Sequence, residues 1–237
     1  MSRNFLVYGA SKGLGKAIIE SIPSEQDNTF AIARNPSETR NKNIKWILAD
    51  LSKTIESVAQ VTENIQDEAI DCLIYNVGIW ESTAFSDEYD FEAMSQQEIL
   101  NMVQVNISAC LLHIQALLPN LKKANQAKII LIGSTWGLDN HNGCEVVFSA
   151  SKYALRGIAQ SLRENLRNDK IGVSVLNLGY LATEYPIEVP AETVISETEG
   201  TLIPLQDVMS AIQFILSTSN ATCVKEIDMP AMMDTNV

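Results

Sequence analysis

Short apolar runs rich in β-branched residues alternate along this chain with longer segments whose apolar residues recur every three or four positions. The short runs predict seven strands: Asn4–Tyr8, Thr29–Ala33, Ile44–Leu48, Asp71–Tyr75, Lys128–Ile132, Gly172–Asn177 and Lys225–Asp228. The longer segments predict helices, most clearly at Gly13–Ile22, Thr54–Ile65, Ser95–Lys123 and Val146–Arg167. Because strands that are apolar throughout need a helix layer on each face, the pattern predicts an α/β fold with a doubly wound, mostly seven-stranded parallel sheet.

The length of 237 residues suits a single domain over residues 1–237, and no repeat or glycine-rich linker divides it. Twenty-nine acidic against 17 basic residues give a net charge of −12, which argues against nucleic acid or an anionic membrane as partner. We expect a cytoplasmic protein with no leader and no membrane span. The four cysteines and two histidines show no metal-ligand spacing, so we expect reduced thiols and no metal site.

Three glycines follow the first predicted strand. Gly9, Gly13 and Gly15 have the spacing G-x-x-x-G-x-G, and a predicted helix begins at Gly13. Such a loop lets the backbone approach a pyrophosphate at the helix N-terminus, where free N–H groups and the helix dipole favour an anion. The strand-loop-helix context favours a nucleotide site over a simple tight turn.

The second predicted strand is followed by Arg34 and Asn35, not by the acidic residue that NAD sites use to hold the ribose 2′-hydroxyl. Arg34 and Lys12 are therefore predicted to contact a 2′-phosphate, which favours NADP(H) over NAD(H) as cofactor. Alternatively, both side chains are solvated on the surface and contact no cofactor.

Two segments stand out from the regular alternation. Residues 103–118 are apolar almost all round, which predicts that one face of this helix meets the sheet and another meets a second subunit, in a homodimer or homotetramer. Residues 184–200 carry five glutamates, two prolines and no Lys or Arg, and predict a mobile flap at the carboxyl edge of the sheet. Its charge disfavours anionic substrates and favours neutral or amine-bearing small molecules.

In this order and at these intervals, the motifs resemble those of the short-chain dehydrogenase/reductase family, from residue 4 to about 229. The resemblance implies a single-domain Rossmann fold, a nicotinamide cofactor, and hydride exchange with a small carbonyl or alcohol substrate. It implies that the cofactor is bound by Gly9, Ser11, Lys12, Gly13, Leu14, Gly15, Arg34, Asp50, Leu51, Asn76, Val77, Gly78, Lys152, Gly179, Leu181 and Thr183. Tyr8 and Leu178 replace the usual Thr and Pro of the family.

The resemblance also implies a catalytic group. Asn106 matches the long-helix asparagine of the family's proton relay, Ser134 its substrate-binding serine, and Lys152 its ribose-binding lysine. Two alternatives stay open, because the Asn106 side chain could simply bind a carbonyl, and because Thr135 competes with Ser134 where the following loop is one residue longer than usual.

Phe148, in the run F-S-A-S-K, stands where the family has its catalytic tyrosine. Residues 148 and 152 lie about 40° apart on one helix face, whereas Tyr153 lies about 140° from position 148 and is a poor substitute. Further candidates for the proton donor are His141, Glu145 and Tyr180. Solvent exposure is the simpler expectation for the two loop residues among them, His141 and Glu145.

Two functions stay open. The first is an NADP(H)-dependent reductase or alcohol dehydrogenase with an altered proton relay. Loss of the general acid lowers the rate by roughly 10²–10⁴, but the rate enhancement from holding the hydride donor and acceptor together remains. The second is a non-catalytic NADP(H)-binding protein, either a sensor or an assembly subunit. A third possibility is that Phe148 was introduced by substitution to trap a complex.

Overall fold

The computed structural model describes residues 2–235. Seven parallel strands form one sheet in the order β3-β2-β1-β4-β5-β6-β7. Their bounds are β1 Asn4–Tyr8, β2 Asn28–Ala33, β3 Ile44–Leu48, β4 Cys72–Tyr75, β5 Lys128–Ile132, β6 Gly172–Leu178 and β7 Glu226–Met229. The helices are α1 Gly13–Ser21, α2 Thr54–Ile65, α3 Gln96–Val103, α4 Ala109–Lys123, α5 Val146–Asn165, α6 Ala191–Thr198 and α7 Leu205–Ser217.

The strand order reverses at β1, which pairs with β2 on one side and with β4 on the other. Asn4 lies opposite Asn28, and Phe5 lies opposite Cys72. The chain therefore continues from β1 and from β4 to helices on opposite faces of the sheet, α1 and α4. Open α/β sheets bind their ligands in the crevice at this reversal.

Each face of the sheet carries its own apolar core, because successive side chains of a strand point to opposite faces. In β1, Leu6 and Tyr8 belong to one core, which α2, α4 and α5 cover. Phe5 and Val7 belong to the other core, which α1 and α7 cover. The predicted doubly wound architecture is thus confirmed.

Tyr8 belongs to a buried polar network that the sequence did not predict. Its hydroxyl lies 3.0 Å from Nδ1 of His113 on α4, and Nε2 of His113 lies 3.0 Å from Oγ of Ser57 on α2. Because Ser57 donates its own hydrogen to the carbonyl of Thr54, Nε2 of His113 must be the donor and Nδ1 the acceptor. Burial lowers the pKa of His113 to about 4, so this imidazole is neutral at pH 7.

All seven predicted strands are present, with ends that differ by at most one residue from the prediction. The predicted helix over Ser95–Lys123 is divided by a π-helical turn at Gln104–Ser108. Helices α6 and α7 were not among the predicted elements. A signal for α7 existed, because the buried residues of this helix follow a helical spacing after Pro204: Leu205, Val208, Met209, Ile212 and Ile215.

The helical stretch Gln96–Lys123 is long and apolar enough to meet a hydropathy criterion for a membrane span. In the fold it packs on α2 and α5 and carries buried core residues, among them Ala109, Ile114 and Leu117. This packing accounts for its apolar character, because a helix that contacts neighbours on several sides needs apolar residues on several sides.

The four cysteines are free thiols. Cys72 and Cys110 are buried, and burial raises the pKa of each to about 12. Cys144 and Cys223 are exposed. Among residues 2–235, no cluster of His, Cys, Asp and Glu side chains is suited to a metal ion.

Candidate active site

The glycine loop after β1 packs tightly against the loop after β4. Gly9 and Gly13 have φ angles of +69° and +51°, which other residues adopt only at a cost. A Cβ on Gly15 would overlap the carbonyl oxygen of Gly9 and lie 2.7 Å from Nδ2 of Asn76. The Asn76 amide donates to the Gly9 carbonyl at 3.4 Å. These contacts fix the loop shape that a closely approaching ligand requires.

The N-terminus of α1 is left without a side-chain cap. Lys12 occupies the cap position in an extended conformation, and its side chain accepts no hydrogen bond from the helix. The first turn holds no acidic residue, and Leu14 is buried within it while Ser11 is half-buried. The free N–H groups of this turn therefore suit an anion such as a phosphate.

Arg34 and Lys12, the two predicted phosphate contacts, are both exposed. Asp50 follows β3, accepts a hydrogen bond from the Ser52 hydroxyl at 2.8 Å, and is followed by the buried Leu51. This hydrogen bond lowers the pKa of Asp50, and the charge of Arg34 lowers it further. The carboxylate and the guanidinium are thus close enough to interact, at the ends of neighbouring strands.

Lys152 lies between the β4 loop and β5. Its Nζ donates to the carbonyl of Ile132 at 3.0 Å and lies 3.1 Å from the place that a Cβ on Gly78 would take. The absence of a side chain at Gly78 therefore leaves room for the ammonium group, beside the half-buried Val77. Burial lowers the pKa of Lys152 to about 8. The same Nζ lies 5.4 Å from the centroid of the Phe148 ring.

Asn106 lies in the π-helical turn and uses its whole side-chain amide to hold neighbouring segments. Its Oδ1 accepts the N–H of Ile79 at 2.8 Å, while Nδ2 donates to the Ile79 carbonyl and to the Ser151 hydroxyl. The Asn106 side chain is therefore bound to a backbone carbonyl, which was one of the two alternatives for this residue. The Asn106 side chain positions the segment after β4 against α5.

Ser134 begins a short 3₁₀ turn after β5, and its Oγ accepts the N–H of Trp136 at 3.2 Å. No acceptor for the Ser134 hydroxyl hydrogen occurs among residues 2–235, so this hydrogen is available to a substrate oxygen. Thr135, the competing residue, is fully buried, and its Oγ1 has no partner in the described chain. A fully buried side chain is the poorer candidate for substrate contact, which favours Ser134.

Phe148 lies in the first turn of α5 and is buried. Lys152 lies one turn later and contacts its ring, as the helical spacing predicts. Tyr153 donates its hydroxyl hydrogen to the Leu138 carbonyl at 2.6 Å and is exposed. The prediction that Tyr153 faces away from position 148 is confirmed.

Aromatic side chains surround Phe148 in an arrangement that the sequence analysis missed. The cluster consists of Trp80, Phe85, Trp136, Phe148 and Tyr180, joined by edge-to-face contacts with ring centroids 5.5–6.4 Å apart. Phe85 contacts the four other rings. A sequence signal existed, because aromatic residues follow β4, β5 and β6, three neighbouring strands of the sheet.

Two glutamates lie against this aromatic cluster. Glu145 accepts the Phe85 N–H at 2.9 Å and the Trp136 indole N–H at 2.6 Å. Burial raises its pKa, but these hydrogen bonds outweigh that effect and leave the pKa of Glu145 below its ordinary value. Glu81 is 2% exposed and accepts the N–H groups of Val147 and Phe148, which caps α5. The expectation that Glu145 is solvated is wrong, because its carboxylate is needed to pair these buried N–H groups.

His141 is half-buried, and both of its ring nitrogens are in use. Nδ1 accepts the N–H of Gly143, and Nε2 lies 3.0 Å from the Ser149 hydroxyl. Tyr180, the third candidate proton donor, packs its ring against Phe85 and Trp136. Burial raises the pKa of Tyr180 above its ordinary value.

The loop after β6 closes the site from the other side. Gly179 donates its N–H to the Met229 carbonyl, and Leu181 forms an isolated bridge with Ile203. Cγ2 of Thr183 lies 3.4 Å from the place that a Cβ on Gly13 would take, so this loop meets the glycine loop. Of the three predicted cofactor contacts in this loop, Thr183 thereby lies beside the N-terminus of α1.

The segment 184–200, expected as a flap, contains the helix α6 and is tied to the rest of the chain. Glu188 forms an ion pair with Arg40 of the loop between β2 and β3. Gln206 of α7 donates to the carbonyls of Ile187 and Val189 at 2.7 and 2.6 Å. The segment thus has regular structure, and its first residues, 184–188, line a groove together with α1. Its mobility stays a prediction.

Comparison with known proteins supports the same family. Residues 3–193 match the short chain dehydrogenase family. The chain is 27% identical over 225 residues to the 3-oxoacyl-(acyl-carrier-protein) reductase FabG of Haemophilus influenzae, covering 90% of this chain and 89% of the relative.

Solved structures share the fold. The NADP active-site complex of RhlG from Pseudomonas aeruginosa superimposes with a TM-score of 0.78 at 21% identity, over 97% of this chain and 95% of the other. A Tyr-to-Phe variant of ElxO with NADPH bound has a TM-score of 0.78 at 18% identity, over 96% and 97% of the two chains. The family match covers most of the sequence and agrees with the sheet order and the glycine loop. The chain therefore belongs to the short chain dehydrogenase family.

Proposed function

We propose that this protein is an NADP(H)-dependent oxidoreductase that exchanges hydride with a small carbonyl or alcohol substrate through an altered proton relay. Membership in the family and the reductase activity named for its relative in H. influenzae support the reaction class. We further propose that it works in the cytoplasm, since free thiols are typical of that compartment.

The glycine loop carries the cofactor part of the proposal. A Cβ at Gly15 would overlap the Gly9 carbonyl, and the N-terminus of α1 has no side-chain cap, so the loop suits a pyrophosphate at that helix end. Asp50 and Asn76 would border the adenosine half and Lys152 would hold the ribose near the nicotinamide. When bound, the nicotinamide supplies or accepts the hydride.

Arg34 and Lys12 support NADP(H) over NAD(H). Both are exposed cations at the rim of the crevice, and the end of β2 offers no carboxylate that would repel a 2′-phosphate. A guanidinium binds phosphate in a bidentate manner, so we assign the larger share of the preference to Arg34. NADP(H) complexes among proteins of the same fold support the same preference.

The proton relay is proposed to differ from that of the family because Phe148 has no hydroxyl. Ser134 has a free hydroxyl hydrogen to orient the substrate oxygen, and Lys152 keeps its proton at neutral pH with a pKa of about 8. A water between Lys152 and the Asn106 segment would then deliver the proton. Loss of a positioned general acid lowers the rate by roughly 10²–10⁴, so turnover should be slow.

A non-catalytic NADP(H)-binding protein is the second candidate function, and one observation favours it. The Phe85 ring fills the space in front of Phe148 by contacting all four other rings of the aromatic cluster. A Tyr-to-Phe variant of ElxO is described with NADPH bound, which supports cofactor binding without that hydroxyl.

Titration with NADPH and NADH, followed by turnover on a carbonyl panel, tests both functions. We expect NADPH to bind more tightly than NADH, and Phe148→Tyr to raise kcat by about 10²–10⁴. Tyr153→Phe is the matched control and should leave kcat unchanged, because its hydroxyl binds the Leu138 carbonyl. NADPH binding with turnover only in Phe148→Tyr would favour the non-catalytic function. Failure to bind either nucleotide would refute both.

A further inference from the structure

The aromatic cluster has one member that differs from the rest. Phe85 is 39% exposed, lies at the centre of the other four rings, and has a φ angle of +61°. A non-glycine residue in this left-handed region is strained unless its surroundings hold it there. The Glu145 carboxylate, which accepts the Phe85 N–H, provides that hold. The backbone of Phe85 is thus anchored on Glu145, and its ring, at the centre of the cluster, is the group that a ligand entering the cluster has to replace.

Glu81 supplies an unused acceptor beside these rings. One of its carboxylate oxygens accepts the N–H groups of Val147 and Phe148 at 2.9 and 3.1 Å. The other oxygen, Oε2, is shielded from solvent and has no hydrogen-bond partner within residues 2–235. A buried carboxylate oxygen without a partner is costly, and a charged donor is the partner that offsets this cost best.

The local charge is negative. Glu145 is ionised at neutral pH because its hydrogen bonds hold its pKa below the ordinary value. Neither Glu81 nor Glu145 forms an ion pair with a Lys or Arg of the described chain. Lys152 is the cation that contacts the Phe148 ring, and its Nζ is directed to the Ile132 carbonyl and Gly78.

We propose that the substrate carries a protonated amine, which replaces the Phe85 ring among Trp80, Trp136, Phe148 and Tyr180 and donates a hydrogen bond to Oε2 of Glu81. Aromatic faces attract a cation through the ring quadrupole, and a carboxylate adds a directed hydrogen bond. A quaternary ammonium would leave Oε2 unpaired, so the geometry favours an amine with an N–H group. This inference rests on the proposed function and names its substrate class.

Binding of a matched pair of probes tests it. Benzylamine and benzyl alcohol have similar size but differ in charge, and quenching of the fluorescence of Trp80 and Trp136 reports occupancy of the cluster. The titrations are run with and without saturating NADPH. We expect benzylamine to bind at least about tenfold more tightly than benzyl alcohol, the effect of one hydrogen bond to a charged group.

Glu81→Gln should abolish that preference, because glutamine keeps an oxygen for the two backbone N–H groups and replaces the unpaired acceptor Oε2 with an NH2 group, which cannot accept a hydrogen bond from an ammonium group. Glu98→Gln is the control, since Glu98 accepts the Ser82 N–H of the same loop through a half-buried carboxylate outside the cluster. It should keep the preference. Phe85→Ala should tighten benzylamine binding and also decides the question if Glu81→Gln does not fold.

Equal affinity for the two probes in wild type and Phe85→Ala, or an unchanged preference in a folded Glu81→Gln variant, would overturn the inference. NADPH binding, measured on the same samples, separates this outcome from failure of the proposed function. Intact NADPH binding without amine preference refutes the amine site alone.

Discussion

Lys152 is buried at a cost to stability that its position in the site explains. Its ammonium group has one backbone acceptor, the Ile132 carbonyl, and burial lowers its pKa to about 8 from an ordinary 10.5. Buried lysines with perturbed pKa values cluster at functional sites. Burial of the Lys152 side chain therefore lowers stability and places a positive charge next to the Gly78 backbone.

Lys152→Met should raise the free energy of unfolding by about 1–3 kcal/mol at pH 7 while it weakens NADPH binding. Because the pKa is lower in the folded state, the unfolded chain binds the proton more tightly between pH 8 and 10.5. The wild type thus gains stability as the pH rises through this range, and its difference from the variant shrinks. Urea unfolding at pH 7 and pH 10 measures both values. A variant that is less stable at pH 7 would contradict the assignment.

His113 should produce a pH dependence of the same sign at the acid side, because its pKa is also lower in the folded state. Its pKa of about 4 in the folded state lies below the ordinary 6.5, so stability is fully present above pH 6.5 and is lost as the pH falls toward 4. The loss attributable to this residue should reach about 3 kcal/mol. Urea unfolding of wild type and His113→Gln across pH 4–7 measures this contribution, since the free energy of unfolding of the variant should fall less steeply with falling pH. Parallel curves for the two proteins would exclude the buried neutral imidazole.

Among the elements, the β1–α1 connection depends most strongly on residues without side chains. Gly15 lies in the first turn of α1, where its Cα hydrogens face the Gly9 carbonyl and the Asn76 amide. Helix α5 contains the contrasting case, because a Cβ on Gly157 would meet no atom within 4 Å. Close packing thus requires a glycine at position 15, whereas position 157 has room for a side chain.

Gly15→Ala should weaken NADPH binding at least about tenfold and lower stability, because the glycine loop has to move away from the β4 loop. Gly157→Ala is the control and should raise the free energy of unfolding by about 0.5–1 kcal/mol without changing NADPH binding. Fluorescence titration and urea unfolding of both variants test the pair. Wild-type NADPH affinity in Gly15→Ala would show that the loop tolerates a Cβ.

The predictability of the elements differs for a physical reason. Continuous apolar runs such as Lys128–Ile132 indicate buried parallel strands, since burial on both faces demands apolar residues throughout. The segment before α6 is polar and rich in proline and glutamate, and local composition did not reveal that α7 would anchor it through Gln206. The π-helical turn around Asn106 depends on contacts with Ile79, which are distant in sequence.

On the scale of the whole molecule, apolar residues on the outer side of the long helix predict a homo-oligomer. Leu100 of α3 and Leu111 of α4 are 62% and 43% exposed. Light scattering at micromolar concentration should give the mass of two or four chains. Leu111→Glu should shift the mass toward one chain, whereas Phe214→Glu on the exposed side of α7 should not. A single-chain mass for wild type would contradict the prediction.

The candidate site was predictable where it depends on backbone and motif, and less so where it depends on packing across loops. The glycine loop, Lys152 and Ser134 could be located from sequence because each follows a strand or lies on a helix face in a fixed register. The aromatic cluster joins the loops after β4, β5 and β6 with α5, and its central contact depends on the φ angle of Phe85. Such a conformation is set by the assembled fold, which local sequence does not encode.

The order of the sheet has a consequence for how the chain acquires its structure during synthesis. β1 lies inside the sheet and pairs with β2 and β4, and each later strand adds to the outer edge in chain order. A nascent chain leaving the ribosome can therefore complete every strand pairing with residues already synthesised, without opening an existing pair. The last strand, β7, is short, and its Glu226 is held by Arg156 and Arg163 of α5. Pairing of β7 with β6 thus completes the sheet and adds an ionic contact to α5, a helix synthesised well before β7.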